Sequence, residues 1–406
     1  MKASGPIPHG FEADAQGRLM IGGHHAEELV GQAGGTPLFV YDSSRIGRQV
    51  ARFRSAFPAE VALHYAVKAN PYGPLLDFMA GLVDGFDVAS AGELGRVAHL
   101  GRPISFAGPG KRDAELETAI RAGITINLES ENEAERALSI CRREGLTAKL
   151  AVRVNPPFAL KGSGQKMGGL PSPFGVDHER VAGLVRRIID AGGEWRGLHV
   201  FAGSQALQAE ALVEAQRDTI ALAADIAREA GHAPGEVNLG GGFGIPYFAK
   251  DRELDVEAVG AALGEALRNR PDQLGDTRFS IELGRWLVGE AGVYLTRIVD
   301  RKESRGKTFI VTDGGLHHLL AATGNLGQLL RRNYPVALAT RFGNGPEEVA
   351  SITGCLCTPL DLLGDEVGLP CSSIGDLVAI FCVGAYGLSA SPTSFLSQPM
   401  ARELLV

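Results

Sequence analysis

Short runs of apolar and β-branched residues alternate, over the first 290 residues, with longer segments in which apolar residues recur every three or four positions. The short runs are typical of buried strands, and the longer segments are typical of amphipathic helices. Eight strands are predicted, at 63–67, 86–90, 104–107, 124–128, 149–154, 197–201, 236–239 and 279–283. Helices are predicted between them, for example at 112–122, 131–144, 178–191 and 209–230.

This alternation indicates an α/β fold. Strands separated by helices form right-handed crossovers and therefore a parallel sheet. Eight such units are the number found in a (β/α)8 barrel, or TIM barrel, of roughly 250 residues. A doubly wound sheet produces a similar pattern, so the count favours the barrel without excluding an open sheet.

The pattern changes after residue 290. Strand-like runs at 293–299, 307–312, 348–353 and 377–383 follow one another with few long helices between them, and a further run at 37–41 precedes the first barrel unit. We expect an N-terminal segment at 1–36 that packs with the β domain, a barrel domain at 37–290, and a C-terminal β-rich domain, a barrel or sandwich, at 291–406.

Composition narrows the classes of partner. The 40 basic and 47 acidic residues give a net charge of −7 without a basic cluster, which argues against a nucleic-acid partner. No apolar run is long enough to span a membrane, and the first residues lack the apolar core of a signal peptide. The five cysteines are irregularly spaced, which does not suggest a disulfide framework. We therefore expect a cytoplasmic protein without nucleic-acid or membrane partners.

Reactive side chains collect at the carboxyl ends of the predicted strands, where barrel active sites lie. Lys68 follows the first strand, Arg153 lies in the fifth, His199 in the sixth and Glu282 in the eighth, and Gly240–Gly242 follow the seventh. Burial would disfavour the ammonium form of Lys68 and leave an amine able to form an imine with an aldehyde cofactor. An ordinary surface lysine is the competing interpretation.

The remaining groups fit an aldehyde cofactor that carries a phosphate and a pyridine ring. The glycine run would let backbone N–H groups approach the phosphate, assisted by the dipole of a following helix, although a plain tight turn has the same sequence. Ser204 and Arg285 could add a hydroxyl and a charge. Glu282 would keep the ring nitrogen protonated, or would form a buried salt bridge with Arg153. His199 would stack on the ring, or would be an ordinary core histidine.

At these residues the sequence resembles the fold-type III pyridoxal-phosphate decarboxylases, the group of diaminopimelate, ornithine and arginine decarboxylases. The resemblance extends from about residue 36 to residue 399. It is carried by TPLFVYD at 36–42, YAVKAN at 65–70, FDVASAGEL at 86–94, RVNP at 153–156, LGGGFG at 239–244, ELGR at 282–285, GCLCT at 354–358 and GAYG at 384–387. The resemblance implies an alanine-racemase-like barrel that binds pyridoxal 5′-phosphate and an L-amino-acid α-decarboxylase activity, that of a carboxy-lyase.

The resemblance also implies a role for each matching residue. Lys68 would be the Schiff-base lysine, His199 would stack on the ring, and Cys357 would be the general acid that protonates the substrate carbon after carbon dioxide leaves. The expected cofactor-binding residues are Lys68, Asp87, Arg153, His199, Ser204, Gly240, Gly241, Gly242, Glu282, Arg285 and Tyr386. In that family the cysteine segment enters the site of the neighbouring subunit, which implies a head-to-tail homodimer with shared active sites.

Two departures from the family pattern concern the distal end of the substrate. Ala321 lies about where diaminopimelate decarboxylases have an arginine, and Thr358 replaces the acidic residue that follows the general-acid cysteine. An unpaired substrate ammonium would be costly in such a site. HVFAGSQ at 199–205, GGLHH at 314–318 and SFLSQP at 394–399 are instead similar to decarboxylases of exopolysaccharide–exosortase clusters and to relatives that act on glutamyl groups tethered to an acyl carrier protein.

The resemblance therefore implies an amino-acid or aminoacyl substrate, with an acyl carrier protein as a partner. A decarboxylase of free diaminopimelate or ornithine type is the alternative, and a non-catalytic homologue that binds partners is another, against which Lys68 and Cys357 argue. An alanine-racemase-type enzyme would have an arginine, not Glu282, at the ring nitrogen. Cys355 and Cys357, with His317 and His318 upstream, lack zinc-like spacing, so no metal is expected.

Overall fold

The computed structural model describes residues 1–162, 164–326, 328 and 330–406. The chain forms two compact units. The barrel unit contains Val50–Gly244 and Glu253–Gly284, and the β unit contains Met1–Gln49, Ile245–Arg252 and Arg285–Val406. These ranges differ from the predicted barrel at 37–290, because residues 37–49, 245–252 and 285–290 group with the β unit.

Eight parallel strands form the barrel unit. They are β1 Val61–Ala66, β2 Gly85–Val88, β3 Ile104–Phe106, β4 Thr125–Leu128, β5 Lys149–Asn155, β6 Glu194–Val200, β7 Glu236–Asn238 and β8 Arg278–Leu283. Each strand pairs with the next, and β8 pairs with β1, where Glu282 lies opposite His64. This closure confirms the predicted (β/α)8 barrel and excludes the open, doubly wound sheet.

Amphipathic helices connect the barrel strands. Their bounds are Gly73–Ala80, Ala91–Val97, Asp113–Arg121, Glu131–Glu144, His178–Asp190, Ala209–Ala230 and Val256–Arg268, and Ser43–Ala56 leads into β1. The helix Glu131–Glu144 shows how local sequence sets the bounds. The Ser130 hydroxyl accepts a hydrogen bond from the Glu133 N–H at its start, and Gly145, with φ 66°, ends it in the left-handed conformation.

The interior of the barrel is polar. Alternate strand positions point inward, and these carry buried polar side chains: His64, Asp87, Ser105, Asn127, Arg153, His199, Asn238 and Glu282. Buried polar groups need partners, and some of these side chains hydrogen-bond to one another. The Asn127 amide donates to the Ser105 hydroxyl at 3.4 Å, and that hydroxyl donates to Asp87. The barrel therefore orients reactive side chains through contacts among neighbouring strands.

The β unit is built on one long strand, Gly292–Ser304, which pairs with three others. Its antiparallel neighbours are Lys307–Thr312, Leu377–Phe381 and Leu38–Tyr41. The remaining strands of this sheet are Val336–Leu338, Glu348–Thr353, Leu362–Leu369 and Arg402–Leu405. The other elements of the unit are the small sheet Glu12–Ala13, Leu19–Ile21 and His24–His25 and the helices Ala26–Ala33 and Arg285–Val288. In the described part of the chain, no helix has the length and apolar character needed to cross a bilayer.

Candidate active site

The Glu282 carboxylate and the His199 ring form a buried pair at the carboxyl half of the barrel. Glu282 Oε2 lies 3.2 Å from His199 Nε2, although the two groups are not aligned for a hydrogen bond. The amide of Asn238, on the intervening strand β7, donates to the same oxygen at 3.4 Å. Burial alone would raise the pKa of Glu282, but the charges of His199, Lys68 and Arg153 outweigh it and lower that pKa well below its ordinary value. Glu282 is therefore an anion over the whole physiological range.

Arg153 does not form the ion pair with Glu282 that the sequence left open. Its Nη1 lies 2.9 Å from Glu129 Oε1, and both side chains are buried. Glu129 also accepts hydrogen bonds from the backbone N–H groups of Gly108 and Gly175. Burial would raise the pKa of Glu129, but Arg153 and Lys111 lower it. Glu129 directly follows β4, and a reading of every strand end would have found it.

Lys68 lies in a single turn, Val67–Ala69, that follows β1. Its Nζ lies 5.2 Å from the centroid of the Phe201 ring, just beyond the end of β6. The expectation that Lys68 is buried is wrong for the single chain, in which the side chain is exposed while Val67 and Ala69 are buried. The side chain leaves the barrel because it belongs to the turn after the strand, at the open carboxyl end.

Asp87 and His64 occupy neighbouring inward positions. His64 Nδ1 lies 3.4 Å from Asp87 Oδ2, without hydrogen-bond alignment. Burial alone would lower the pKa of His64, but the charge of Asp87, aided by Glu236 and Glu282, raises it to about 9. Asp87 therefore faces a protonated histidine and the Ser105 hydroxyl, and its neighbour in register on β1 is Ala66.

The glycine run makes a tight turn after β7. Gly240 and Gly242 have φ values of 71° and 82°, which favour glycine. A Cβ at Gly241 would overlap the carbonyl oxygen of Glu282, and one at Gly242 would overlap that of Gly203. The backbone N–H groups of Gly241 and Gly242 donate no hydrogen bond within the described residues. The predicted helix dipole is wrong, since the next helix begins only at Val256.

Arg285 and Tyr386 are brought together within the β unit. The Arg285 guanidinium carbon lies 4.7 Å from the centroid of the Tyr386 ring. Arg285 Nη1 also donates to the Tyr247 hydroxyl at 2.9 Å, while its Nε is buried without a partner among the described residues. Tyr386 has φ 54°, a strained value for a residue with a large side chain. Tyr247 was not predicted to be a site residue, and the segment around it contains no recognisable motif.

Cys357 lies in an irregular loop of the β unit, and its side chain is exposed. The loop is bound to the turn that contains His317 and His318, through Asp361. His317 is fully buried, and neither ring nitrogen has a hydrogen-bond partner among the described residues. Burial and the neighbouring His318 lower the pKa of His317 to about 4. The two loops on which Ala321 and Thr358 lie are thus joined.

Known proteins resemble the chain over nearly its whole length. The family model for the pyridoxal-binding domain of pyridoxal-dependent decarboxylases matches residues 43–289. The L-glutamyl-(BtrI acyl-carrier protein) decarboxylase of Niallia circulans is 36% identical, covering 91% of this chain and 88% of that protein. The diaminopimelate decarboxylase of Methanothermobacter thermautotrophicus is 32% identical, covering 98% and 92%. The structure of the M. jannaschii diaminopimelate decarboxylase with L-lysine superposes with a TM-score of 0.88 at 27% identity, covering 98% and 92%.

These likenesses, with the closed barrel, define a pyridoxal-phosphate enzyme that carries a second, β-rich unit. The chain belongs to the pyridoxal-dependent decarboxylase family and is a carbon–carbon lyase. The alternatives of a racemase-type enzyme and of a non-catalytic homologue are therefore not retained.

The residues at the carboxyl end of the barrel fit the cofactor that the family uses. The N–H groups of Gly241 and Gly242 are available to a phosphate. Glu282 is a buried anion of the kind that a pyridinium nitrogen requires. His199 Nδ1 has no partner among the described residues, and the amine of Lys68 reaches the open end of the barrel. Each group of the cofactor thus has a chemically suitable counterpart in the chain.

Proposed function

We propose that this enzyme decarboxylates an L-amino acid carried as an aminoacyl group, glutamyl or similar, on an acyl carrier protein, and that it acts as a cytoplasmic homodimer with shared active sites. The observation that carries the substrate proposal is the absence of a usable charge on the two loops that contain Ala321 and Thr358. A free diamino acid has a distal ammonium group that would need an anionic partner there.

The acids on these two loops support the proposal. The only acidic residues in 313–325 and 354–361 are Asp313 and Asp361. Asp313 accepts hydrogen bonds from the Thr296 hydroxyl, the Arg297 N–H and the Thr36 hydroxyl. Asp361 is 2% exposed, and both of its oxygens accept backbone N–H groups. Neither carboxylate is therefore available to a substrate ammonium. The Niallia relative, whose name specifies a carrier-bound glutamyl substrate, agrees with this.

We assign the cofactor to the residues that the family resemblance implies. The phosphate would be held by the N–H groups of the glycine run and by Ser204, Arg285 and Tyr386. Glu282 would pair with the ring nitrogen, His199 would cover the ring face, Lys68 would hold the carbonyl carbon, and Asp87 and Arg153 would support these groups. Bound pyridoxal phosphate supplies an electron sink for the electron pair that departing carbon dioxide leaves behind.

Two of the chain's own side chains would react in this proposal. The Lys68 amine would hold the cofactor, and the Cys357 thiol would deliver a proton to the substrate Cα. Cys357 is exposed in the single chain, which supports its use in the site of a partner subunit. Leu360, on the same loop and 56% exposed, and Phe395, 44% exposed, are apolar groups that an interface between subunits would cover.

The test compares substrates on the purified enzyme with added pyridoxal phosphate. Carbon dioxide release is measured with glutamyl carrier-protein thioester, free glutamate, lysine, ornithine and diaminopimelate. We expect turnover of the thioester and at least about 100-fold lower kcat/KM for each free amino acid, since a missing charge partner costs about 3 kcal/mol. Efficient turnover of a free diamino acid, without turnover of the thioester, would refute the substrate proposal. Lys68→Ala is the inactive control, and Lys161→Ala, at an exposed lysine of the same unit, is the active one.

A further inference from the structure

Asp361 joins the two loops that border the cysteine in the β unit. Its Oδ1 accepts the Leu316 N–H at 2.6 Å, and its Oδ2 accepts the Leu356 N–H at 2.8 Å. Leu356 directly precedes Cys357. The Asp361 backbone also accepts the Gly354 N–H at 3.0 Å and donates to Thr358 O at 3.2 Å. One residue therefore makes four hydrogen bonds that define the conformation of the cysteine loop.

The packing around this carboxylate leaves it no alternative position. A Cβ at Gly315 or at Gly354 would overlap the Asp361 oxygens, so both backbones are in direct contact with the carboxylate. Asp361 is 2% exposed, and no cationic side chain pairs with it among the described residues. Burial raises the pKa of Asp361, which the two N–H groups only partly offset. A buried carboxylate without a cation is costly, so its presence indicates a specific role.

We propose that Asp361 is a positioning residue for Cys357, whose carboxylate holds the cysteine loop 354–361 on the turn 314–319 and so fixes the thiol for protonation of the substrate carbon. This rests on the proposed function of Cys357 as general acid. The loop has no regular secondary structure between Gly354 and Asp361, so side-chain hydrogen bonds must define it. A displacement of about 1 Å in a reacting group lowers a rate by up to about 100-fold.

The consequence of a misplaced acid is chemically distinct from loss of the fold. When the proton reaches the substrate Cα, the products are carbon dioxide and the amine, and pyridoxal phosphate is regenerated. A proton that misses the substrate Cα would leave the substrate nitrogen with the cofactor, and hydrolysis by water would release the substrate carbon as an aldehyde. The ratio of aldehyde to amine would therefore report where the proton arrives.

The test uses Asp361→Asn in the full-length enzyme. Asparagine is nearly isosteric, but it offers one acceptor oxygen and turns an NH2 group toward the second N–H donor. Asp365→Asn is the matched control, because Asp365 contacts Lys2 and Ser351 and no residue of the cysteine loop. Gly315→Ala displaces the carboxylate without removing it, and Gly345→Ala, where a Cβ meets no atom within 4 Å, is its control.

We expect two readouts to change together in Asp361→Asn and Gly315→Ala and in neither control. Hydrogen exchange, measured on the cofactor-free protein, should accelerate by at least about 10-fold at the Leu316 or the Leu356 amide. Asp361→Asn leaves one of these N–H groups without its acceptor, and Gly315→Ala displaces the carboxylate from them. With the substrate that the wild type turns over, kcat should fall by about 10-fold or more, KM should change less than about 2-fold, and the ratio of aldehyde to amine should rise.

Cys357→Ala is measured in parallel to separate this inference from the proposed function. If Cys357→Ala gives the wild-type ratio of aldehyde to amine, the proposed general acid is wrong. If Cys357→Ala raises that ratio while Asp361→Asn leaves both the ratio and the amide exchange unchanged, the inference about Asp361 is overturned and the function stands. A mere loss of cofactor binding or of thermal stability in Asp361→Asn, with an unchanged ratio, would likewise overturn it.

Discussion

Glu282 Oε2 and His199 Nε2 lie 3.2 Å apart inside the barrel, and both side chains are almost fully buried. The pair follows from strand register. His199 on β6 lies opposite Asn238 on β7, and Asn238 lies opposite Ser280 on β8, so Glu282 reaches His199 across β7. A barrel interior that holds a carboxylate in its anionic form provides a fixed negative charge for a cationic ring nitrogen.

Replacement of this carboxylate tests the assignment to the ring nitrogen. In Glu282→Gln we expect kcat to fall by about 100-fold, the effect typical of removing one preorganised electrostatic group from an active site. Steady-state decarboxylation is the measurement. Glu236→Gln is the control, because Glu236 also occupies an inward-facing strand position but lies toward the amino end of the barrel. Its carboxylate accepts a hydrogen bond from the Ser280 hydroxyl at 2.7 Å. An equal loss in both variants would argue against a specific role for Glu282.

The raised pKa of His64 predicts a stability that depends on pH. Its value of about 9 in the folded protein exceeds the ordinary 6.5, so protonation of His64 favours folding. The contribution is complete below pH 6.5 and disappears as the pH rises through about 9. The difference in free energy of unfolding between wild type and His64→Gln should shrink by about 1–3 kcal/mol between pH 6.5 and pH 10.

Urea unfolding at several pH values provides that measurement. His232→Gln, at an exposed histidine of the same unit, should show no such change. Asp87→Asn should remove most of the pH dependence, because Asp87 lies 3.4 Å from His64. A difference between wild type and His64→Gln that stays constant with pH would contradict the prediction.

The tight turn of the glycine run predicts that a side chain at Gly241 is not tolerated. Gly241→Ala would drive its Cβ into the Glu282 carbonyl oxygen and displace the N–H groups of the turn. We expect pyridoxal phosphate to bind at least about 10-fold more weakly, and the free energy of unfolding to fall by about 1–3 kcal/mol. Fluorescence titration of the cofactor-free protein measures the affinity. Gly110→Ala, where a Cβ meets no atom within 4 Å, should bind the cofactor normally.

Shared active sites predict that two inactive variants restore activity when mixed. Lys68→Ala removes the amine and Cys357→Ala removes the thiol. A dimer of one subunit of each variant contains one active site in which Lys68 and Cys357 are both intact. Random exchange of subunits should therefore recover about a quarter of the wild-type activity, half of the sites in half of the dimers. Activity is measured after unfolding and refolding the mixture, with each variant refolded alone as the control. No recovery would place Lys68 and Cys357 in the same subunit's site.

Local periodicity predicted the barrel strands well. All eight appear within a few residues of their predicted bounds, because a buried parallel strand is a short continuous apolar run that needs no distant information. Strands whose character depends on packing were missed. Leu362–Leu369 contains Asp365 and Glu366, and Arg402–Leu405 is a chain terminus that pairs with Leu38–Tyr41. Nothing in such short segments separates a strand from a loop until a neighbouring strand pairs with them.

The sequence by itself determined the order of elements and the chemical types at the strand ends: Lys68, His199, Gly240–Gly242 and Glu282. These depend on periods of 2 and 3.6 residues and on motif spacing, which are local properties. Only the tertiary structure decided which groups meet. Pairing of β6, β7 and β8 brought Glu282 to His199, whereas Arg153 turned to Glu129, and Asp361 bound two loops separated by some forty residues. Such pairings depend on strand register and on backbone approach, and neither is encoded in any short segment.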